Sequence, residues 1–237
     1  MINIIISPSQ QKWNACAIDN CTEQEHCFAI GNKIFELLND YDCNKLLIQP
    51  IFGTEQETLN KVVKQSNAFV KNNPADASFH LDIHTDAGYA GHGASGFYMS
   101  ERGKSFIIQV WREISKITPW GDGNVSRRDL KVLRDTTATA GLIEVSFHDI
   151  PEEAKWIHLN IDAIAAAIVR GIVATTGIVK FEKPVHWAEK FYKGLLDLGM
   201  VINERRFKDP VNRGECFALL LQLAQILLRA VTRRNIT

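Results

Sequence analysis

The stretch Leu142-Ile143-Glu144-Val145-Ser146-Phe147 limits the fold more than any other. Leu142, Ile143, Val145 and Phe147 form an almost unbroken apolar run. A strand with one wet face alternates apolar and polar residues, so a run of this kind belongs to a central strand covered on both faces. Helices must then lie on two sides of a sheet. The rest of the chain supplies them. Ile2-Asn3-Ile4-Ile5-Ile6 reads as a first buried strand, broken near Pro8, which has no N–H to give a ladder. Thr22 with Glu25 three residues later is a capping box, and Ile30, Ile34, Leu37 and Leu38 follow at helical spacing. Residues 43–51 read as a strand and 53–72 as a helix with Leu59, Val62, Val63 and Phe69 inward. A strand over 79–87 is followed by a Gly-rich loop over 88–96. A strand over 96–99, a helix over 104–116 and a further strand reached through Arg127 to Arg134 come before the apolar run. Residues 151–155 begin a helix, and 161–174 form a long apolar one.

This alternation predicts an α/β class: a layered α/β/α domain over residues 1–176 with a mainly parallel or mixed central sheet. Residues 177–183, including Lys180-Phe181-Glu182-Lys183, read as a linker. Residues 184–237 read as a small all-helical domain, with 187–198 amphipathic, Gly199 as C-cap and 217–228 strongly apolar.

Charge and composition exclude some roles. The 27 basic and 27 acidic residues cancel, so no global field draws the chain to nucleic acid or to a membrane. No run reaches the length of a spanning helix. The apolar start is short and has no basic leader, which leads us to expect synthesis in the cytoplasm without a signal peptide. Five cysteines, an odd and uneven set, fit free thiols. Cys21 and Cys27, six apart, fall on different faces of any helix and make no C-x-x-C clip.

The candidate chemistry lies in a few polar residues. On the strand over 79–87, Phe79, Leu81 and Ile83 share one face and His80, Asp82 and His84 the other. His80 and Asp82 can simply satisfy each other. His84 stands where the strand ends, the usual place for catalytic groups in an open α/β sheet. Glu23 and His26, three apart, share a face of a helix's first turn. Glu144 interrupts the apolar run, where a carboxylate is costly unless paired, hydrogen-bonded or near a metal. Nitrogen and oxygen donors of this kind hold Zn²⁺ as three protein groups plus water, and a further carboxylate can take the proton of that water. The same residues admit quieter readings. Glu23 suits a helix N-terminus through the dipole, and Glu144 could pair with Arg128 or Arg134.

Taken in order, these segments resemble the zinc-dependent N-acetylmuramoyl-L-alanine amidases of the amidase_3 family. The matching parts are Ile4-Ile5-Ile6-Ser7-Pro8-Ser9-Gln10, the Glu23-Gln24-Glu25-His26 helix start, Ile83-His84-Thr85-Asp86-Ala87, Gly93-Ala94-Ser95-Gly96-Phe97-Tyr98, Arg127 to Arg134 as an approach to a Val-Leu-Arg strand, and Leu142 to Phe147. The resemblance covers residues 2 to about 176. It implies one zinc per chain, Glu23 and His84 as ligands, and Glu144 as catalytic carboxylate. The family's usual first ligand is a His, and Gln10 stands in its place here. The third ligand is then His26, Gln10 or a water, or the site binds metal weakly or not at all. The Ser-Pro-Ser-x-Gln opening followed by Asn14 resembles a variant branch of the same amidases. His92 and Arg128 are candidate substrate contacts, and His148 receives no role.

Trp187-Ala188-Glu189, Leu198-Gly199 and Asp209-Pro210-Val211-Asn212-Arg213-Gly214-Glu215 resemble one surface-layer-homology module. That resemblance implies cell-wall binding through Trp187, Arg213 and Glu215, with peptidoglycan and a secondary cell-wall polymer as partners. The expected activity is hydrolysis of the amide between N-acetylmuramic acid and L-alanine. The expected setting is a phage or prophage endolysin released through a holin to act on the bacterial wall. A mother-cell lysin of sporulation, a metal-poor wall-binding protein and a zinc exopeptidase of similar fold are the alternatives.

Overall fold

The structure is a computed structural model that describes residues 1–18, 21–88, 91–121, 123–181, 193–195, 197, 216–218 and 220–226. The chain divides into two units, Met1–Phe181 and Glu182–Thr237. The described residues of the second unit are helical. Trp187, Arg213 and Glu215 lie outside the described residues.

The first unit runs β1 (Ile2–Pro8), α1 (Glu23–Leu37), β2 (Asn44–Leu47), α2 (Glu55–Asn72), β3 (Ala77–Asp86), β4 (Ser95–Tyr98), α3 (Glu101–Ser115), β5 (Val125–Arg127), α4 (Lys131–Asp135), β6 (Thr139–Phe147), α5 (Pro151–Leu159) and α6 (Ile161–Thr176). The strands form one mixed sheet in the order β2-β1-β3-β6-β4-β5. β2, β1, β3 and β6 are parallel, and β4 runs antiparallel to β6. Helices cover both faces. On one side Ile4, Ile6, Leu81, Ile83, Ile143 and Val145 pack with Ile30 and Ile34 of α1, Phe106 and Ile107 of α3 and Ile164 and Ile168 of α6. On the other, Ile5, Phe97, Ala140 and Leu142 meet Val62 of α2 and Val132 and Leu133 of α4. The apolar run of β6 is therefore buried from both sides, as its composition requires. Gly171 lets α6 lie against α3: a Cβ there would stand 2.5 Å from the Val110 Cα.

One expectation is corrected. Val132-Leu133-Arg134 is not a strand but belongs to the short helix α4. A short apolar pair cannot tell strand from helix by periodicity, and here the pair fills the layer over β6 rather than joining the sheet.

The topology fixes where a site can form. From β1 the chain crosses to β2 on one side, then returns through α2 to β3 on the other. Loops part at the C-terminal edge between β1 and β3, the switch point at which open α/β sheets bind ligands. Among the described residues no single helix is long and apolar enough to cross a membrane.

Candidate metal and catalytic centre

Glu23, Asp82, His84 and Glu144 gather at this edge. Thr22 caps α1 in a full capping box with Glu25, which fixes Glu23 at the first helical position. Asn14 completes the hold: its side chain donates to Glu23 Oε2 at 2.7 Å, and its carbonyl accepts from the Glu23 N–H at 2.9 Å. The other carboxylate oxygen, Oε1, meets His84 Nδ1 at 2.9 Å. The far ring nitrogen, His84 Nε2, lies 3.3 Å from Asp82 Oδ2. His84 is thus clasped by a carboxylate at each nitrogen. Burial works against a charge on the ring, but Asp82 and Glu23 outweigh it and hold the pKa well above the usual histidine range. Burial also opposes ionisation of Glu23, yet His84, Ser9 and Asn14 keep its pKa below the ordinary value.

Glu144 is in register with His84 across β3 and β6 and with Ser95 across β6 and β4. Partners on neighbouring strands point to the same face, so its carboxyl stands beside the His84 clasp. Its Oε2 is shielded from solvent and has no hydrogen-bond partner. Burial, joined by the carboxylates of Asp86, Glu23 and Asp82, pushes its pKa up to about 8 against the pull of His84. No arginine neutralises it among the described residues. Arg134 pairs with Asp129 and Asp135, and Arg128 stacks on the Phe97 ring at 4.0 Å. The salt-bridge reading of Glu144 therefore fails. A cleft lined by Ser7, Ser9, Gln10, Thr58, Asp82 and His84 opens beside the group.

Neither side chain considered as a third ligand is turned toward the clasp. The Gln10 amide donates to the Pro8 carbonyl at 2.9 Å and accepts from the Ile51 N–H at 2.8 Å, so it ties the β1 turn to the segment after β2. His26 faces Cys16 instead, Nδ1 to Sγ at 3.4 Å. His80 hydrogen-bonds Ser66 at 3.0 Å and lies 4.0 Å from Asp82, so the two do not satisfy each other. His92 is exposed at its tip but anchored: Nδ1 meets Glu153 Oε1 at 2.5 Å.

Sequence reasoning missed three contributors. Asn14 was read only as part of a motif and Asp82 as a partner for His80. Glu153, fully buried, accepts from the Phe147 and Gly93 N–H groups and from Ser146. It joins the end of β6 to the His92 loop. An acid at the third position of a helix is unremarkable in a sequence, so nothing marked it.

Glu23 and His84 are donors of the kind that hold a divalent cation, and among the described residues no third protein ligand joins them within ligating reach. A cation in place of the proton between Glu23 and His84 Nδ1 would leave Asp82 on Nε2, and ligating histidines are held through the second nitrogen in this way. An unpartnered acid stands beside it in Glu144. Clasped imidazole, paired acids and a cleft at the switch point of a layered α/β sheet make the layout of a hydrolase. The chain belongs to the Amidase_3 family of N-acetylmuramoyl-L-alanine amidases, whose model matches residues 4–174. Its fold is similar to that of the catalytic domain of CwlV, an N-acetylmuramoyl-L-alanine amidase from Bacillus (Paenibacillus) polymyxa var. colistinus. That match has a TM-score of 0.63 at 18% identity and covers 75% of this chain and 98% of that one. An N-acetylmuramoyl-L-alanine amidase from Clostridium difficile 630 gives 0.60 at 20%, covering 73% and 94%. The catalytic domain of the CD27L endolysin targeting Clostridia difficile gives 0.58 at 19%, covering 73% and 96%. No curated protein matches the sequence. Peptidoglycan is the substrate of the family, and the chain is an amidase by class.

Proposed function

We propose that the chain cuts the amide joining the lactyl group of N-acetylmuramic acid to L-alanine, with Glu144 as the acid–base group beside a zinc site. The observation that carries this is the unpartnered, shielded Oε2 of Glu144 next to the Glu23–His84–Asp82 clasp. Glu23 and His84 would hold Zn²⁺, with Asp82 fixing the ring. The bound ion supplies a water of lowered pKa and polarises the scissile carbonyl. Positive charge between Glu23 and His84 would draw the Glu144 pKa down, so that Glu144 starts as a base. It takes the proton of the attacking water and delivers it to the departing L-alanine nitrogen. His92, on the loop leading into β4, is a candidate contact for the glycan–peptide strand, and Arg128, which follows β5 at the other end of β4, is a candidate for a more distant part of it.

The setting we propose is an endolysin acting on the bacterial wall after release, with Trp187, Arg213 and Glu215 binding wall polymer. The likeness to an endolysin catalytic domain supports it. A mother-cell lysin would use the same chemistry. A metal-poor wall-binding protein is the second reading, favoured by the structural engagement of both amide atoms of Gln10. The test is Glu144→Gln on purified cell walls, read by turbidity and by newly freed L-alanine amino groups. Loss of lysis with an unchanged circular dichroism spectrum is expected. Full activity in that variant removes Glu144 from the mechanism. A wild-type protein that binds walls without lysing them, and holds no metal at Glu23 and His84, establishes the second reading.

A further inference from the structure

At the same helix start as Glu23, a second set of donors converges. The segment before α1 doubles back on itself. Ala15 bridges Thr22 in antiparallel fashion, and the Cys16 N–H donates to the Cys21 carbonyl at 2.9 Å. The two thiols are thereby brought together beside the first turn of α1, where His26 points inward. One ligand atom from each of Cys16, Cys21 and His26 lies within 4.8 Å of the other two. Cys16 Sγ and His26 Nδ1 are 3.4 Å apart. Around a tetrahedral zinc with Zn–S about 2.3 Å and Zn–N about 2.05 Å, sulfur and nitrogen stand roughly 3.5 Å apart, so this pair is already at the spacing of shared ligands. His26 is 4% exposed, yet no oxygen holds its ring. Nδ1 faces only the thiol, and Nε2 has no partner. A buried imidazole normally has such an anchor. All five cysteines are free thiols, and Cys16 and Cys21 are both partly exposed, which leaves a path for an ion and room for a water as fourth ligand.

We propose that Cys16, Cys21 and His26 form a second metal site, separate from the catalytic centre, that takes a thiophilic divalent cation such as Zn²⁺. Two thiolates and an imidazole are softer donors than the Glu23–His84 pair and favour zinc over magnesium or calcium. The site would staple the hairpin to α1. Asn14, at the foot of that hairpin, holds the Glu23 carboxylate, so the staple would fix a catalytic ligand. The proposal does not depend on the amidase mechanism.

The test uses the full chain, reduced and stripped of metal, titrated with Co²⁺. A thiolate-to-cobalt charge-transfer band is expected at one equivalent, displaced by Zn²⁺, lost in the Cys16→Ser/Cys21→Ser protein and kept in Glu23→Gln. Because the double variant could fail to fold, wild-type protein is also labelled with iodoacetamide and mapped by mass spectrometry. Zn²⁺ at one hundred times its Kd should slow labelling of Cys16 and Cys21 roughly 100-fold, leave Cys43 and Cys216 unaffected, and be reversed by chelator. Wild-type protein with no such band and no protection overturns the proposal. So does a band that survives in a folded double variant.

Discussion

Glu144 is an acid that its surroundings keep protonated. Its carboxyl ionises in the unfolded chain near pH 4.3 but only at about 8 in the fold, chiefly because it is buried. Folding therefore takes up a proton between those values, and stability must fall as pH rises through that window. Metal-free protein should thus lose Tm from pH 5 to pH 8.5, with His84, whose pKa is also raised, adding to the loss above about pH 6.5, and Glu144→Gln should flatten the slope most between pH 5 and pH 6.5. Thermal melts of both proteins across this range check it, and parallel slopes would assign the loss to another group. At this scale the sequence singled out Glu144 and His84, because a charged residue in an apolar run and a histidine at a strand end are both anomalies, and the fold brings the two into register. It could not show that Gln10 and His26 turn elsewhere. Their directions depend on the Ile51 backbone and on Cys16, both brought near by folding.

Among the elements, α1 presents both Glu23 of the candidate centre and His26 of the proposed second site. Its capping box sets the position of Glu23, so Thr22→Ala should cost about 1 kcal/mol. The fraying should also loosen the Glu23–His84 contact. We expect a lower Tm together with a lower rate of wall lysis, measured by denaturant melts and turbidity, with Glu25→Gln, which keeps the box's acceptor, giving a smaller effect. Unchanged lysis in folded Thr22→Ala would show that Asn14 alone positions Glu23. The box was legible in the sequence because it is a local motif of four residues. The hairpin that gathers Cys16 and Cys21 was not, since C-x₄-C-x₄-H has no fixed meaning until the chain doubles back. The short helix α4 was not legible either, because two apolar residues carry no period.

For the whole molecule, the end of the first unit has a consequence for truncation. Ile178 is 5% exposed, the Asp42 N–H donates to the Val179 carbonyl at 2.9 Å, and the Phe181 N–H donates to the Asp40 carbonyl at 2.8 Å. Residues 178–181 thus belong to the first unit rather than to a free linker. A chain ending at Phe181 should keep wall lysis and lose wall retention, whereas one ending at Gly177 should melt at a lower temperature. Pull-down on purified walls and thermal melts test both, and full retention by the chain ending at Phe181 refutes the targeting role of the C-terminal residues. The sequence by itself determined the layered α/β class, the strand–helix order outside the α4 segment and the acid in the central strand. Those follow from local periodicity and from the cost of burying a charge, which each segment carries within itself. Only the tertiary structure decided that Asp82 and Glu23 clasp one histidine, that Gln10 ties a turn, and that His26 meets two thiols. Each of those pairings joins segments set by crossover and register, and no local pattern encodes which side chain will face which.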